Sequence, residues 1–379
     1  MRQVLGGARI FDGTTLHDDA ALIMEGERVA AILPADQAGP STRICEGIIA
    51  PGFIDLQING GGGRMVDRDT GLAGLRHICA THRALGCAGV LPTLITDTPE
   101  ATARVVEAGI EAAAAQVPGF LGLHLEGPHL DPRRKGAHDP ALVRPMAEED
   151  LARLCDAARA LPVLMVTLAP EAATPQQIAT LSGAGAIVSL GHSDCDYDSA
   201  TAAFAAGARC ATHLFNAMSQ MGHRSPGLVG AVLSGAAPYA GLIADGIHVH
   251  EAAMRTALAA RPDGIFLVTD CMAFAGTDLA ELNLNGRPVR RENGRLTLAD
   301  GTLAGADLSM DKALRVLVQD LEIPVERALA MAAAIPARLV GMQDRLGTLA
   351  QGTSPVPVLL DDGLALTGIW NGEDWDAPQ

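Results

Sequence analysis

Polar side chains capable of chemistry stand directly after short apolar runs at widely spaced points of this sequence. Gln57 and Asn59 follow the first such run, Glu126 ends LGLHLE, His192 follows IVSLG, His213 follows CAT, His248 follows GLIADGI, and Asp270 ends IFLVTD. One carboxylate and two imidazoles, Glu126, His192 and His213, make the three-ligand set of a catalytic divalent ion, with a position left for water. Zinc is the first expectation for that ion; iron or another divalent metal accepts the same ligands. Asp270, beside such a water, can take its proton and later return it to a leaving amine. Each residue alone has a blander reading, since a His in an apolar context is usually a hydrogen-bonded core residue and an Asp after a strand is usually a turn residue. Their recurrence at successive strand ends points instead to metal-assisted hydrolysis.

Residues so far apart meet only if the segments that carry them run parallel. Eight apolar segments read as strands: around Ile54–Ile58, Val90–Leu94, Phe120–Leu125, Val163–Leu168, Ala186–Leu190, Arg209–Thr212, Tyr239–Ala244 and Ile265–Thr269. Ala-rich segments such as Ala101–Gln116, Glu148–Ala160, Ser199–Ala206 and Glu251–Ala260 read as helices between them, and two more are expected near 307–320 and 324–340. Eight strands alternating with helices predict an α/β fold, a (β/α)8 TIM-type barrel, whose active site lies where the C-terminal strand ends converge. Residues 1–50 and 346–379 carry β-type runs separated by turn signals. Neither end can fold alone, so the two are expected to pair into one small β-sandwich beside a 51–345 barrel. Asn285-Gly286, Asn293-Gly294 and Asp300-Gly301 predict inserted hairpins over 281–304.

Composition excludes several function classes. A formal charge of −16 over 379 residues repels nucleic acid from most of the surface. The seven cysteines form no CxxC pair and no even framework, which predicts reduced thiols in a cytoplasmic protein. The opening MRQVLGGARIFDG has no apolar core of a signal peptide, and no run is long enough to span a bilayer.

Other motifs are weaker. Gly60–Gly63 lacks the spacing of a phosphate-binding loop and reads as a tight turn over the site. Arg224 with His223, in MGHRSPG, suits an anion but is equally a solvated loop. Lys135 and His138, in RRKGAHDP after Glu126, either meet a substrate or face solvent. Cys195 and Cys271 sit near the site, but a cysteine nucleophile needs a free His.

The strings PGFIDLQINGGGG, HLEGPHLDPRRKGAHDP, SLGHSD, THLFNAM, IADGIHV and LVTD, in this order, resemble the N-acetylglucosamine-6-phosphate deacetylase family of the amidohydrolase superfamily. The likeness covers nearly the whole chain. It implies Glu126, His192 and His213 as metal ligands, Asp270 as the acid–base carboxylate and His138 as the residue that helps polarise the acetyl carbonyl. It further implies His248, Asn216, the backbone of Ala217 and Arg224 as sugar and phosphate contacts, with Arg224 given across the interface of a homodimer. Many superfamily members hold two metals with a His-x-His after the first strand and a carboxylated Lys after the fourth. Here Gln57-Ile-Asn59 and Thr167-Leu-Ala-Pro170 occupy those places, so one divalent ion per subunit is expected. The expected reaction is deacetylation of N-acetyl-D-glucosamine 6-phosphate to the amine and acetate. The galactosamine epimer, another amidohydrolase reaction and a non-catalytic scaffold are the rivals.

Overall fold

The computed structural model describes residues 2–284 and 286–378. Eight strands form one parallel sheet in sequence order: β1 Phe53–Ile58, β2 Cys87–Ile95, β3 Leu123–Glu126, β4 Leu164–Leu168, β5 Ile187–Leu190, β6 Cys210–Ala211, β7 Tyr239–Leu242 and β8 Ile265–Leu267. Every strand expected from the apolar runs is present. Closure is completed just past β8, where Asp270 N–H donates to Gln57 O (3.0 Å) and Asn59 N–H donates to Cys271 O (2.8 Å). The buried Asp55 carboxylate reinforces this seam by accepting from the hydroxyl (2.5 Å) and the backbone N–H of Thr269. The sheet is thus a barrel held shut at its last turn by polar groups.

Outer helices begin where the sequence supplies caps. Thr98 accepts from Ala101 N–H ahead of Pro99–Ala114, and Asp196 accepts from Ser199 N–H ahead of Tyr197–Ala205. Thr174 and Gln177 form a capping box at Pro175–Gly183. Their apolar faces and the strands share one core built from Ala, Leu, Val and Ile, as the scarcity of aromatics requires. Inside the barrel, one layer below the expected ligands, lies a polar floor. His124 contacts Thr167 Oγ1 (2.7 Å), Thr167 contacts Thr212 (2.7 Å), and Ser189 contacts Thr212 (2.6 Å). Burial pushes the His124 imidazole down to about 4, so it is neutral there. Because side chains alternate along a strand, His124 and Glu126 face the same interior.

The chain ends build two sheets outside the barrel. A four-stranded sheet comprises Arg2–Gly6, Ala20–Glu25, Arg28–Pro34 and Arg43–Ile44. A six-stranded sheet combines Arg9–Phe11, Leu16–His17 and Ile48–Ala50 with Val358–Leu360, Leu366–Trp370 and Trp375–Asp376. Leu5, Leu22, Met24, Ile49 and Trp370 bury one core between them. The segment GTSPVPVLLDD contains a strand, Val358–Leu360, that pairs antiparallel with Ile48–Ala50. Segment 281–304 is the inserted antiparallel sheet that its turn pairs predict, with strands Glu281–Leu284, Arg287–Glu292, Arg295–Thr297 and Leu303–Ala306; Asn285 of its first turn lies outside the described residues. The expected helices near 307–320 and 324–340 are each divided. They run Met310–Arg315 into a wider turn Val316–Asp320, and Val325–Ala332 into Ala334–Leu339.

Trp370 is 3% exposed and donates from Nε1 to Gly26 O (3.1 Å), joining the C-terminal strand to the N-terminal sheet. Trp370 and Trp375 are the two tryptophans of the chain, so tryptophan fluorescence reports on this unit alone. Trp370→Ala is expected to destabilise it by about 3–5 kcal/mol. Chemical unfolding followed by the remaining Trp375 emission checks this; a midpoint unchanged from wild type would show that the terminal strands are not held by that core.

Candidate metal centre and active site

Glu126 ends β3, His192 follows β5 and His213 follows β6, and the barrel brings all three to one point. Glu126 Oε1 lies 3.2 Å from His192 Nε2 and 3.1 Å from His213 Nε2, and the two Nε2 atoms are 3.1 Å apart. All three side chains are buried, at 3–6% exposure. His192 Nδ1 lies 2.8 Å from Arg134 O, so Nδ1 carries the proton and donates it, and Nε2 presents its lone pair to the cluster. A carboxylate oxygen and an imidazole lone pair held this close in a buried site repel unless a proton or a cation sits among them. Donors about 2.0–2.2 Å from one ion in tetrahedral array are about 3.3–3.6 Å apart, so the observed triangle, slightly tighter at 3.1–3.2 Å, needs only a small expansion to take a divalent ion. These residues could hold such an ion. Burial pushes the Glu126 carboxyl up, but the close His192 and His213 imidazoles more than offset it and hold the group well below the usual carboxylate range. Glu126 is thus ionised and ready to ligate.

Asp270 sits beside this triangle with a different protonation tendency. Burial, then the neighbouring Glu126 charge, push its carboxyl up to about 6. Asn59 Nδ2 donates to Asp270 Oδ1 (2.6 Å), and Gln57 Nε2 donates to both Asp270 Oδ1 (3.2 Å) and Glu126 Oε1 (3.0 Å). The amides at the two positions where relatives with two metals place imidazoles therefore act as donors to carboxylates. Both amides converge on Oδ1, which leaves Oδ2 the oxygen available for proton transfer.

His138 reaches the site from the loop after β3. Thr96 N–H lies 3.3 Å from His138 Nδ1 and Thr96 Oγ1 lies 2.8 Å from it. The backbone N–H can only donate, so Nδ1 accepts and the ring proton resides on Nε2, 3.9 Å from Glu126 Oε2. Burial, then the neighbouring His192, push His138 down to about 3, so it is a neutral donor aimed at the Glu126, His192 and His213 triangle. His248 is held differently. Its Nδ1 contacts Asp245 Oδ2 at 2.6 Å, three residues earlier in the same loop.

A cavity of about 260 Å³ joins these groups. Its lining includes Asn59, Glu126, His138, His192, His213, Asn216, Ala217, His248 and Asp270, together with an apolar side made by Met65, Ile95, Met272 and Leu284. Of the residues that the family resemblance implies for the site, all line it except Arg224. Arg224 and His223 are exposed on the loop before Gly227–Leu233. Lys135 does not reach the cavity either. Gly60–Gly63 forms the tight turn expected, with φ of 59° and 81° at Gly62 and Gly63 between two paired dipeptides. Left-handed backbone concentrates here: His192 (47°), His213 (28°), Ala217 (48°) and Asp270 (51°) all have positive φ. Such strain costs about 1–3 kcal/mol per residue and persists where surrounding structure enforces it.

Sequence reasoning missed the groups that hold these residues. Asp245 behind His248 carried a signal, a DGIH turn with a carboxylate three residues before the imidazole. Thr96 behind His138 and the Arg134 carbonyl behind His192 carried none, because tertiary folding alone sets those pairings.

Comparison with known proteins identifies the family. The model of the amidohydrolase family matches residues 48–373. An N-acetylgalactosamine-6-phosphate deacetylase from Shewanella is 39% identical over 87% of this chain and 84% of its own. An N-acetylglucosamine-6-phosphate deacetylase from Haemophilus influenzae is 36% identical over 88% of each. The crystal structure of N-acetylglucosamine-6-phosphate deacetylase from Pasteurella multocida superposes with a TM-score of 0.92 at 33% identity over the whole of both chains. The chain therefore belongs to the amidohydrolase family and, within it, to the N-acetylglucosamine-6-phosphate deacetylase family.

Proposed function

We propose that this protein hydrolyses the acetamide of N-acetyl-D-glucosamine 6-phosphate, releasing acetate and D-glucosamine 6-phosphate. The observation that carries the reading is the buried donor triangle of Glu126, His192 and His213 with Asp270 at its side, in a chain whose relatives bear that activity's name. In this reading residues 51–345 are the catalytic unit, residues 1–50 with 346–379 are the accessory sandwich, and the enzyme works in the cytoplasm.

The three ligands would hold one divalent ion per subunit, zinc in the first place. Such an ion polarises a carbonyl and lowers the pKa of water towards ~7. Asp270 then supplies the base. Its Oδ1 is fixed by Asn59 and Gln57, so the carboxylate meets the water with Oδ2 and takes its proton. His138, neutral and protonated on Nε2, donates to the carbonyl oxygen as negative charge develops there. The deprotonated water adds to the acetyl carbon, and as the C–N bond breaks the proton held by Asp270 passes to the departing 2-amine, which is a poor leaving group until protonated. His248, steadied by Asp245, and Asn216 with the Ala217 backbone supply donors and acceptors for the sugar.

Phosphate recognition requires a group from outside this cavity. No Lys or Arg lines it among the described residues, and a phosphate dianion in a chain of net charge −16 needs a cation. Arg224, exposed and without a side-chain partner among the described residues, suits delivery into the cavity of a second subunit in a homodimer. A second reading has a specific support: the 39%-identical Shewanella relative is named for the galactosamine epimer.

Acetate release by the metal-loaded protein, measured with both 6-phosphate epimers, tests the reading. Turnover of the gluco compound is expected, and release from neither would refute it. Asp270→Asn is expected to retain bound metal while kcat falls by about 10²–10⁴-fold; near-normal turnover would remove Asp270 from the chemistry. Arg224→Ala is expected to lower kcat/KM for the phosphorylated sugar by about 10- to 100-fold, the loss of a hydrogen bond to a charged group. An equal loss with unphosphorylated N-acetylglucosamine would contradict the phosphate contact.

A further inference from the structure

The loop that carries His138, residues 127–147, has little regular structure beyond the single 3-10 turn Pro132–Arg134. A catalytic donor on such a segment must be fixed by contacts from elsewhere, because loose placement by about 1 Å costs about 10²-fold in rate. Thr96 fixes the ring at Nδ1. The backbone leading into the ring is fixed by another group. The peptide between Ala137 and His138 is planar, so its two polar ends define its orientation. The N–H end donates to Lys135 O (3.0 Å), a contact within the loop itself. The carbonyl end accepts from Arg287 Nη2 at 2.6 Å, across 150 positions of sequence.

Arg287 stands on a frame tied to the other catalytic side. Its strand, Arg287–Glu292, pairs with Glu281–Leu284 and with Arg295–Thr297, which pairs in turn with Leu303–Ala306. From that last strand Ala306 N–H donates to Asp270 O (2.9 Å). Gly305, with φ of 65°, lies so near that an added Cβ would sit 2.7 Å from the same oxygen. Arg291 donates to Phe274 O and Thr277 O, fastening the sheet to the segment after Asp270. Met272, Phe274, Leu284 and Val289 form its core, with Ala137 packed against it. Arg287 does not itself line the cavity. Its neighbour Arg290 faces solvent, paired with Glu281.

We propose that Arg287 is a positioning residue for His138, and that the inserted sheet is the brace setting the His138 imidazole and the Asp270 carboxylate in register across the cavity. This rests on the donor role given to His138 above. A guanidinium suits such a brace because it stays charged, and its hydrogen bond to a carbonyl is about twice as strong as a neutral one. The brace also explains why a hairpin insertion follows the last barrel strand, where a direct connection to the next helix would suffice for the fold.

The test is a double-mutant cycle on the metal-loaded enzyme with N-acetylglucosamine 6-phosphate. Arg287→Met is expected to lower kcat about tenfold, with KM changed less than about twofold and metal content unchanged. Arg287→Lys should recover part of the loss, and Arg290→Ala should leave kcat at wild type. His138→Ala should itself lose about 10²-fold, and Arg287→Met added to it should cost nothing more, because the group it positions is gone. A wild-type kcat for Arg287→Met, a rise in KM alone, or an equal further loss in the His138→Ala background would each overturn the proposal. Wild-type kcat for His138→Ala would instead remove the donor role of His138, and the need for its brace with it.

Discussion

Three electron-rich atoms, one carboxylate oxygen and two imidazole nitrogens, are held within 3.2 Å of one another inside a nearly closed barrel. Nothing in the hydrophobic effect favours that arrangement, and Coulomb's law opposes it at low dielectric unless positive charge is shared among them. Much of the surrounding structure can be understood as enforcing this cluster. Strands β3, β5 and β6 bring the groups in from sites up to 87 positions apart. The polar floor beneath, His124 with Thr167, Ser189 and Thr212, keeps those strand ends in place without offering charge of its own. Positive φ at His192 and His213 shows that the backbone is bent away from its preferred conformation to aim the rings inward.

A second consequence is the division of labour between two neighbouring carboxylates. Glu126 is drawn below its ordinary range by two imidazoles, whereas Asp270 is raised to about 6 by burial and by Glu126. Environments that separate two acids in this way suit them to different roles, ligand for one and proton carrier for the other. Gln57 and Asn59 keep the pair apart and oriented. Amides serve better than imidazoles here, because an imidazole at either place would compete for metal rather than steer Asp270.

Much of this was legible in the sequence. Short apolar runs marked all eight strands, and most of the polar residues following them gather at one cavity, because a parallel barrel aligns its C-terminal ends whatever their separation in the chain. Strand β6 shows the boundary error inherent in such reading. Expected over 209–212, it spans only Cys210–Ala211, since the backbone soon turns left-handed at His213. The supporting groups were largely illegible. The bond from Arg287 to the Ala137 carbonyl joins an exposed-looking hairpin to a proline-punctuated loop, and neither periodicity nor propensity connects them. Arg224 was singled out through family likeness alone; within this chain it is exposed and lines no part of the cavity.

The central claim is that the Glu126, His192 and His213 donors bind one divalent cation opposite Asp270. Anomalous diffraction from crystals grown with zinc, collected on both sides of the zinc absorption edge, tests it most directly. The account predicts a single strong peak per subunit, bonded at about 2.0–2.2 Å to Glu126, His192 Nε2 and His213 Nε2. The absence of a peak there, with zinc bound elsewhere or not at all, would contradict it.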